Sequence, residues 1–179
     1  MNTPKRPSKK ASANHAAFPR ASRPQLPADY GVPTATEDLL PWSHVTAQMT
    51  MAMHYWVCTV SPDGHPHATP VDGLWLDDRL YFGGSSQTRC SRHLSANPAV
   101  CIHLESGTNV IILHGEAHEH RPDRALAQHL AAASAAKCGY APKPKDYQAG
   151  GAHMFLPYVV FAWTQFPRDV TRWQFLHQH

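Results

Sequence analysis

No apolar run in this 179-residue chain approaches the roughly 20 residues of a membrane-spanning helix. The N-terminus is basic but has no apolar core of the kind a secretory signal carries. The expectation is therefore a protein with no membrane role. The four cysteines (Cys58, Cys90, Cys101 and Cys138) are scattered and include no C-x-x-C pair. That pattern fits reduced thiols in a cytoplasmic protein, used as small packing residues, better than a disulfide framework. Charge is also scarce. Only 16% of the residues are Asp, Glu, Lys or Arg, and the formal net charge is +3 with His neutral, too mild to imply a nucleic-acid partner. No internal repeat is visible. No side chain stands out as a catalytic acid or base, so no catalytic residue is assigned.

What is present suits one globular domain. Apolar residues make up 42% of the chain, enough at this length for a sizeable core. Histidine is abundant at 14 residues, so the protein becomes much more basic below about pH 6.5. Residues 1–33 are rich in Pro, Ser, Ala, Lys and Arg and poor in large apolar side chains. Such a segment buries too little surface to offset its ordering entropy and is expected to be a disordered tail, with the folded domain spanning 34–179.

Pro41 suits a helix start, and Val45, Met49, Ala52 and Met53 then recur at helical spacing as core residues. Tyr55–Val60 is β-branched and aromatic and reads as a strand. The turn Ser61-Pro62-Asp63-Gly64 sends the chain back through His65–Trp75, and Asp77-Asp78 turns it again into Arg79–Phe82. Connections this short require antiparallel pairing. A helix over about 87–96 stops at Asn97-Pro98. Strands follow at 99–104 and 109–119, then a helix from Pro122 to Lys137 with Gly139 as its C-cap. A loop from Tyr140 to Gly151 precedes two last strands, at 158–164 and 171–175. The fold class is mainly β with flanking helices. Its six or seven antiparallel strands favour a barrel, because closure removes exposed edges.

The most informative stretch runs from Leu80 to Leu94. A strand ends in Gly83-Gly84, passes Ser85 and Ser86, and opens a helix at Thr88-Arg89 with Arg92 one turn on. A helix N-terminus leaves unpaired N–H groups and a partial positive charge, which suits an anion. Ser85, Ser86 and Thr88 add hydroxyls, and Arg89 adds a forked cation suited to phosphate. Gly83 and Gly84 let a ligand approach the backbone closely. A plain serine cap with solvated arginines also accounts for these residues.

The ordered set Pro62-Asp63-Gly64-His65-Pro66-His67-Ala68-Thr69-Pro70-Val71, Leu80-Tyr81-Phe82-Gly83-Gly84-Ser85, Thr88-Arg89, Arg92-His93-Leu94, Asn97-Pro98 and His103-Leu104-Glu105 resembles the pyridoxamine 5′-phosphate oxidase-like superfamily. Ala162-Trp163 and Thr171-Arg172-Trp173-Gln174-Phe175 add to the likeness, which covers roughly residues 38–175. The resemblance is to the branch that binds flavin mononucleotide (FMN) or the deazaflavin coenzyme F420. It implies a split β-barrel, a homodimer with cofactor sites at the subunit interface, and oxidoreductase activity on an unidentified small molecule. It places Thr69, Pro70 and Val71 at the isoalloxazine edge and Thr88 and Arg89 on the phosphate; the reading of the helix start adds Gly84, Ser85 and Arg92 as expected cofactor-binding residues. FMN is the default, with F420 the alternative. Cys90 stands where such proteins often carry Lys and supplies no phosphate charge. The basic C-terminal residues that strict pyridoxamine-phosphate oxidases use for substrate phosphate are not matched, so vitamin B6 oxidation is not implied.

Two other classes remain open at this point. One is a non-catalytic flavin or haem binder, since redox chemistry belongs to the cofactor and requires no acid or base from the chain. The other is a metal-binding barrel. His65 and His67 form an H-x-H pair, and His114, Glu116, His118 and His120 fall on one face of a strand by period two.

Overall fold

Alternating burial sets the strands of the chain in a computed structural model that describes residues 19–140, 142–150 and 152–175. The strands are β1 (Arg20–Ser22), β2 (His54–Val60), β3 (Pro66–Leu76), β4 (Arg79–Gly83), β5 (Ala99–His103), β6 (Val110–Glu119), β7 (Ala152–Trp163) and β8 (Thr171–Gln174). The helices are α1 (Trp42–Met51), α2 (Arg89–Ala96), α3 (Arg124–Cys138) and α4 (Pro144–Gln148). In β2, Tyr55, Val57 and Thr59 point into the core, while Trp56 and Cys58 face out half-buried. The β3–β4 hairpin turns on Asp77 and Asp78, both at positive φ (50° and 57°). Two such residues make the tight turn whose twist matches its strands, and Asp tolerates that conformation.

Every pairing is antiparallel. The order β7-β4-β3-β2-β5-β6 closes into a six-stranded barrel because β6 also pairs with β7. Along one edge β7 meets β6 throughout. Along the other it meets β4 through Ala152–Phe155 and then β8 through Val159–Ala162. That change of partner splits the barrel. Inside it, Val45 and Met49 of α1 pack with Tyr55, Val57, Ile102, Leu113, Phe155 and Trp173. Trp173 lies edge-on to Trp42 at 5.5 Å between ring centres. Outside, Leu130 of α3 packs on Leu74 and Tyr81. Lys137 fastens that helix by donating to the Tyr55 hydroxyl (2.9 Å) and the Gly73 carbonyl (3.0 Å). No helix among the described residues is long and apolar enough to cross a membrane.

Several expectations need correction. Residues 1–18, with Lys5, Arg6, Lys9 and Lys10, lie outside the described residues, but order begins well before Thr34. β1 pairs with β8 (Arg20↔Gln174, Ala21↔Trp173, Ser22↔Arg172). Arg23 donates to the carbonyls of Ala35 (2.8 Å) and Val170 (3.1 Å). A short polar strand needs no core of its own when a sheet edge supplies its hydrogen bonds, and composition does not reveal that edge. Met53 lies past the end of α1 and is exposed. The expected loop 140–151 carries α4, and β7 begins at Ala152 rather than Tyr158, bringing the strands to eight. Pro157 argues against a strand in the sequence because proline lacks a ladder donor. In the structure it sits at an irregularity between His114 and Gly115 where the register with β6 shifts. A Cβ on Gly115 would lie 2.0 Å from the Leu156 carbonyl oxygen, so β6 approaches β7 there only as glycine.

Candidate functional site

Thr88 caps α2. Its Oγ1 accepts from the Ser91 backbone N–H (3.2 Å) and donates to Ser91 Oγ (2.9 Å). The opposite side of the helix is anchored. Cys90 and Leu94 enter the barrel core, and His93 Nδ1 shares a 3.0 Å hydrogen bond with Thr59 Oγ1 of β2. The start of α2 is therefore held in place while Arg89 is exposed and makes no hydrogen bond or ion pair with the described residues. N–H groups of the first turn have no intrahelical partner, and the helix adds partial positive charge.

Facing this helix start is a cleft of about 250 Å³ that brings together six of the eight expected residues: Thr69, Pro70 and Val71 from β3, and Gly84, Thr88 and Arg89. Ser85 and Arg92 are not in its lining. Ser85 builds the turn, its hydroxyl accepting from Gln87 N–H (3.2 Å) and its carbonyl from Thr88 N–H (3.0 Å). Arg92 folds back to donate to the Gln87 carbonyl (3.1 Å). A Cβ on Gly84 would come no closer than 4.0 Å to Ser91 Oγ and Thr88 Oγ1, so the glycine leaves open space above two hydroxyls. Unclaimed donors, a free guanidinium and that space suit a phosphate group. Cys90 is buried, its thiol pushed up by burial, and adds no charge.

His67, Phe82, Gly83, Cys90, Ser91 and His153 also line the cleft and are not among the eight expected cofactor residues, although Gly83 belongs to the glycine pair read as letting a ligand approach and His67 to the H-x-H pair. Two signals were available. His67 shares a face of β3 with Thr69 by period two, and Ser91 follows Thr88 at the spacing of a cap. His153 carries no signal in the sequence, where the strand is expected to start only at Tyr158. Its ring stacks on Phe82 at 5.3 Å between centres and 14° between planes.

A second cavity, of about 340 Å³, adjoins the cleft and shares Phe82, Gly83 and Gly84 with it. Tyr81, Tyr140 and Tyr147 give it an aromatic wall, with Leu74 beside them and α4 completing it. Tyr147 is fixed by a 2.6 Å hydrogen bond to Ser134 of α3. Asp72 and Asp146 are its charged lining residues, and among the described residues no Lys, Arg or His joins them.

The histidine row does not make a metal centre. Among the described residues, no three His, Cys, Asp or Glu side chains converge on one point. His65 turns to Asp63 (2.8 Å) and His118 to Glu116 (3.1 Å). His114 lies edge-on to Phe161, and His120 approaches the Tyr81 ring. Glu116 and His118 meet as a pair, but His114 and His120 turn to rings elsewhere, so a shared face does not bring the row to one point.

The model of the family described as pyridoxamine 5′-phosphate oxidase matches residues 46–156, well over half of the chain. No curated protein matches it. Among solved structures, an F420 reductase superposes with a TM-score of 0.53 at 17% identity, covering 66% of this chain and 95% of its own. An FAD-binding protein of Mesorhizobium loti does so at 0.53 and 17%, covering 75% and 93%. A conserved hypothetical protein of Mycobacterium tuberculosis does so at 0.59 and 15%, covering 71% and 87%. At these identities the likeness is one of fold.

Proposed function

The chain belongs to the pyridoxamine 5′-phosphate oxidase family, and from that membership we propose that it is an oxidoreductase carrying a phosphate-bearing flavin-type cofactor. FMN is the first choice and coenzyme F420 the second. The observation that carries this reading is the single cleft joining Thr69–Val71 to the capped, cationic start of α2. Arg89, Thr88 and the open backbone at Gly84 would hold the phosphate. β3 would hold the ring edge, and Phe82 and His153 would close the cleft floor. When bound, the cofactor supplies two-electron chemistry, and the chain supplies position and polarity.

The adjoining cavity suits the substrate because it opens on the same glycines. Its aromatic wall and two carboxylates favour a planar molecule without an anionic group. A phosphorylated B6 vitamer would meet Asp72 and Asp146, with no cation among the described lining residues to receive it. We also infer a homodimer. Trp173 is a core residue, but Phe161 and Trp163 remain half-buried on the C-terminal strands, and aromatic side chains of this kind favour interfaces.

The deciding experiment is absorbance of the purified protein, followed by mass spectrometry of the released ligand and titration of apoprotein. FMN or F420 bound at micromolar or lower Kd is the expected result. Failure of both to bind overturns the reading.

A further inference from the structure

The outward face of β2 and β5, away from the barrel core, carries two thiols. Register pairs Cys58 with Cys101 as direct opposites on antiparallel strands. Both side chains are half-buried and both thiols are free. Period two puts them on the same face as Trp56 and His103, whose rings stack one step along the ladder at 6.2 Å between centres. Directly opposed residues in an antiparallel pair have Cα atoms about 4.5–5.5 Å apart. That falls within the roughly 4.4–6.8 Å spanned by disulfides. The pairing therefore already supplies the approach that most cysteine pairs would need backbone movement to reach. The other two cysteines have no such partner: Cys90 lies in the core and Cys138 ends α3.

We propose that Cys58 and Cys101 form a redox-modification site, a dithiol that a low-molecular-weight disulfide converts to a cross-strand disulfide and back. The thiolate of one cysteine attacks the small disulfide, forms a mixed disulfide and expels one small thiol. The second cysteine then attacks the protein-bound sulfur and expels the other. Two protein thiols become one S–S bond, the oxidant's S–S bond becomes two thiols, and the two protons end on those thiols. Cys58 is the first nucleophile because it is less desolvated. Burial, with the neighbouring Cys58 adding to it, pushes Cys101 up to about 11, whereas burial alone raises Cys58. The bridge has a defined neighbour, since Cys58 also pairs with Ala68 of β3, next to Thr69, Pro70 and Val71. Oxidation thus ties β2 to β5 one strand away from the cleft wall.

The test equilibrates the folded full-length protein in oxidised and reduced glutathione at graded ratios, quenches with acid, alkylates and maps peptides. The expected product at oxidising ratios is a linked peptide pair containing Cys58 and Cys101, two hydrogens lighter than the two thiol peptides. It disappears at reducing ratios and is absent in Cys58→Ser, where Cys101 is recovered alkylated or as a glutathione adduct. Two results overturn the proposal. One is recovery of both cysteines alkylated or glutathionylated, but never linked, at every ratio. The other is a linkage involving Cys90 or Cys138 in their place.

Discussion

Arg89 and Gly84 carry the proposed phosphate seat in different ways, and their substitutions separate charge from space. Arg89→Ala removes one charge-assisted bond, worth about 1.5–3 kcal/mol, so FMN affinity should fall roughly ten- to a hundredfold. Riboflavin, which lacks the phosphate, should bind the variant almost as well as the parent. Equal losses for both ligands would place Arg89 at the ring or in the fold. Arg23 is no neutral control, since it is tied to Ala35 and Val170. Exposed Arg124 at the start of α3 serves instead. Gly84→Val tests the space. No protein atom lies within 4.0 Å of the added Cβ except the Ser91 and Thr88 hydroxyls at that distance. The variant should melt close to the parent yet lose FMN binding by more than tenfold, as read by fluorescence titration. Retained affinity would move the phosphate elsewhere. Arg92 lies outside the cleft lining and donates to the Gln87 carbonyl, so both tests address Arg89 and Gly84.

At the scale of elements, the link from β7 to β8 depends on one buried carboxylate. Asp169 accepts from the Thr164 N–H (3.0 Å), the Thr164 hydroxyl (2.5 Å) and the Gln165 N–H (2.8 Å). Burial pushes its carboxyl up, but those hydrogen bonds outweigh it, and the net shift is below the ordinary value of 3.8. A depressed folded value means that the ionised form stabilises the fold. That contribution is complete above the ordinary value and is lost as pH falls through the folded one. Asp169→Asn should cost about 1–3 kcal/mol at pH 7 by leaving donors poorly matched. The gap to the parent should narrow as the pH is taken below the folded value. Urea unfolding at a series of pH values reads it, and a gap independent of pH would contradict the assignment. Elements also show what was legible beforehand. The meander β2–β4 and the helix α2 are readable because alternation, turn residues and the Asn97-Pro98 stop act over a few neighbouring positions, although the cap is Thr88 and not the expected serine. β1, α4 and the first half of β7 are not. β1 exists only because β8 presents an edge, and β7 tolerates Pro157 only at its bulge opposite Gly115.

For the whole molecule, the proposed cofactor and partner should both appear as stability. A ligand that binds only the folded state at a hundred times its Kd adds about 2.7 kcal/mol. For a chain of this size that is a rise of roughly 5–10 °C in Tm. FMN should produce it in the parent and not in Gly84→Val. Light scattering should give twice the chain mass, and a stable monomer at working concentration would end the dimer reading. The cleft itself was half legible for a whole-molecule reason. The α2 start is a local motif, whereas Phe82 and His153 meet only because β4 and β7 lie side by side across 70 residues of chain. The same distance separates the expected loop at 140–151 from the cavity wall that it forms.

The three-way pairing of β7 has a consequence for how the protein is made. Five barrel strands, β2 to β6, precede it in the chain, and they leave β4 and β6 as two bare edges. Chains emerge from the ribosome at about 5–20 residues per second. For the time needed to synthesise α3, α4 and β7, the nascent sheet stays open, with its apolar inner face uncovered. Ala152–Trp163 then joins both edges in a single stretch, so this one strand decides whether a barrel exists at all. A premature stop codon before Ala152 should therefore yield a sticky sheet and aggregated product, not a smaller folded protein.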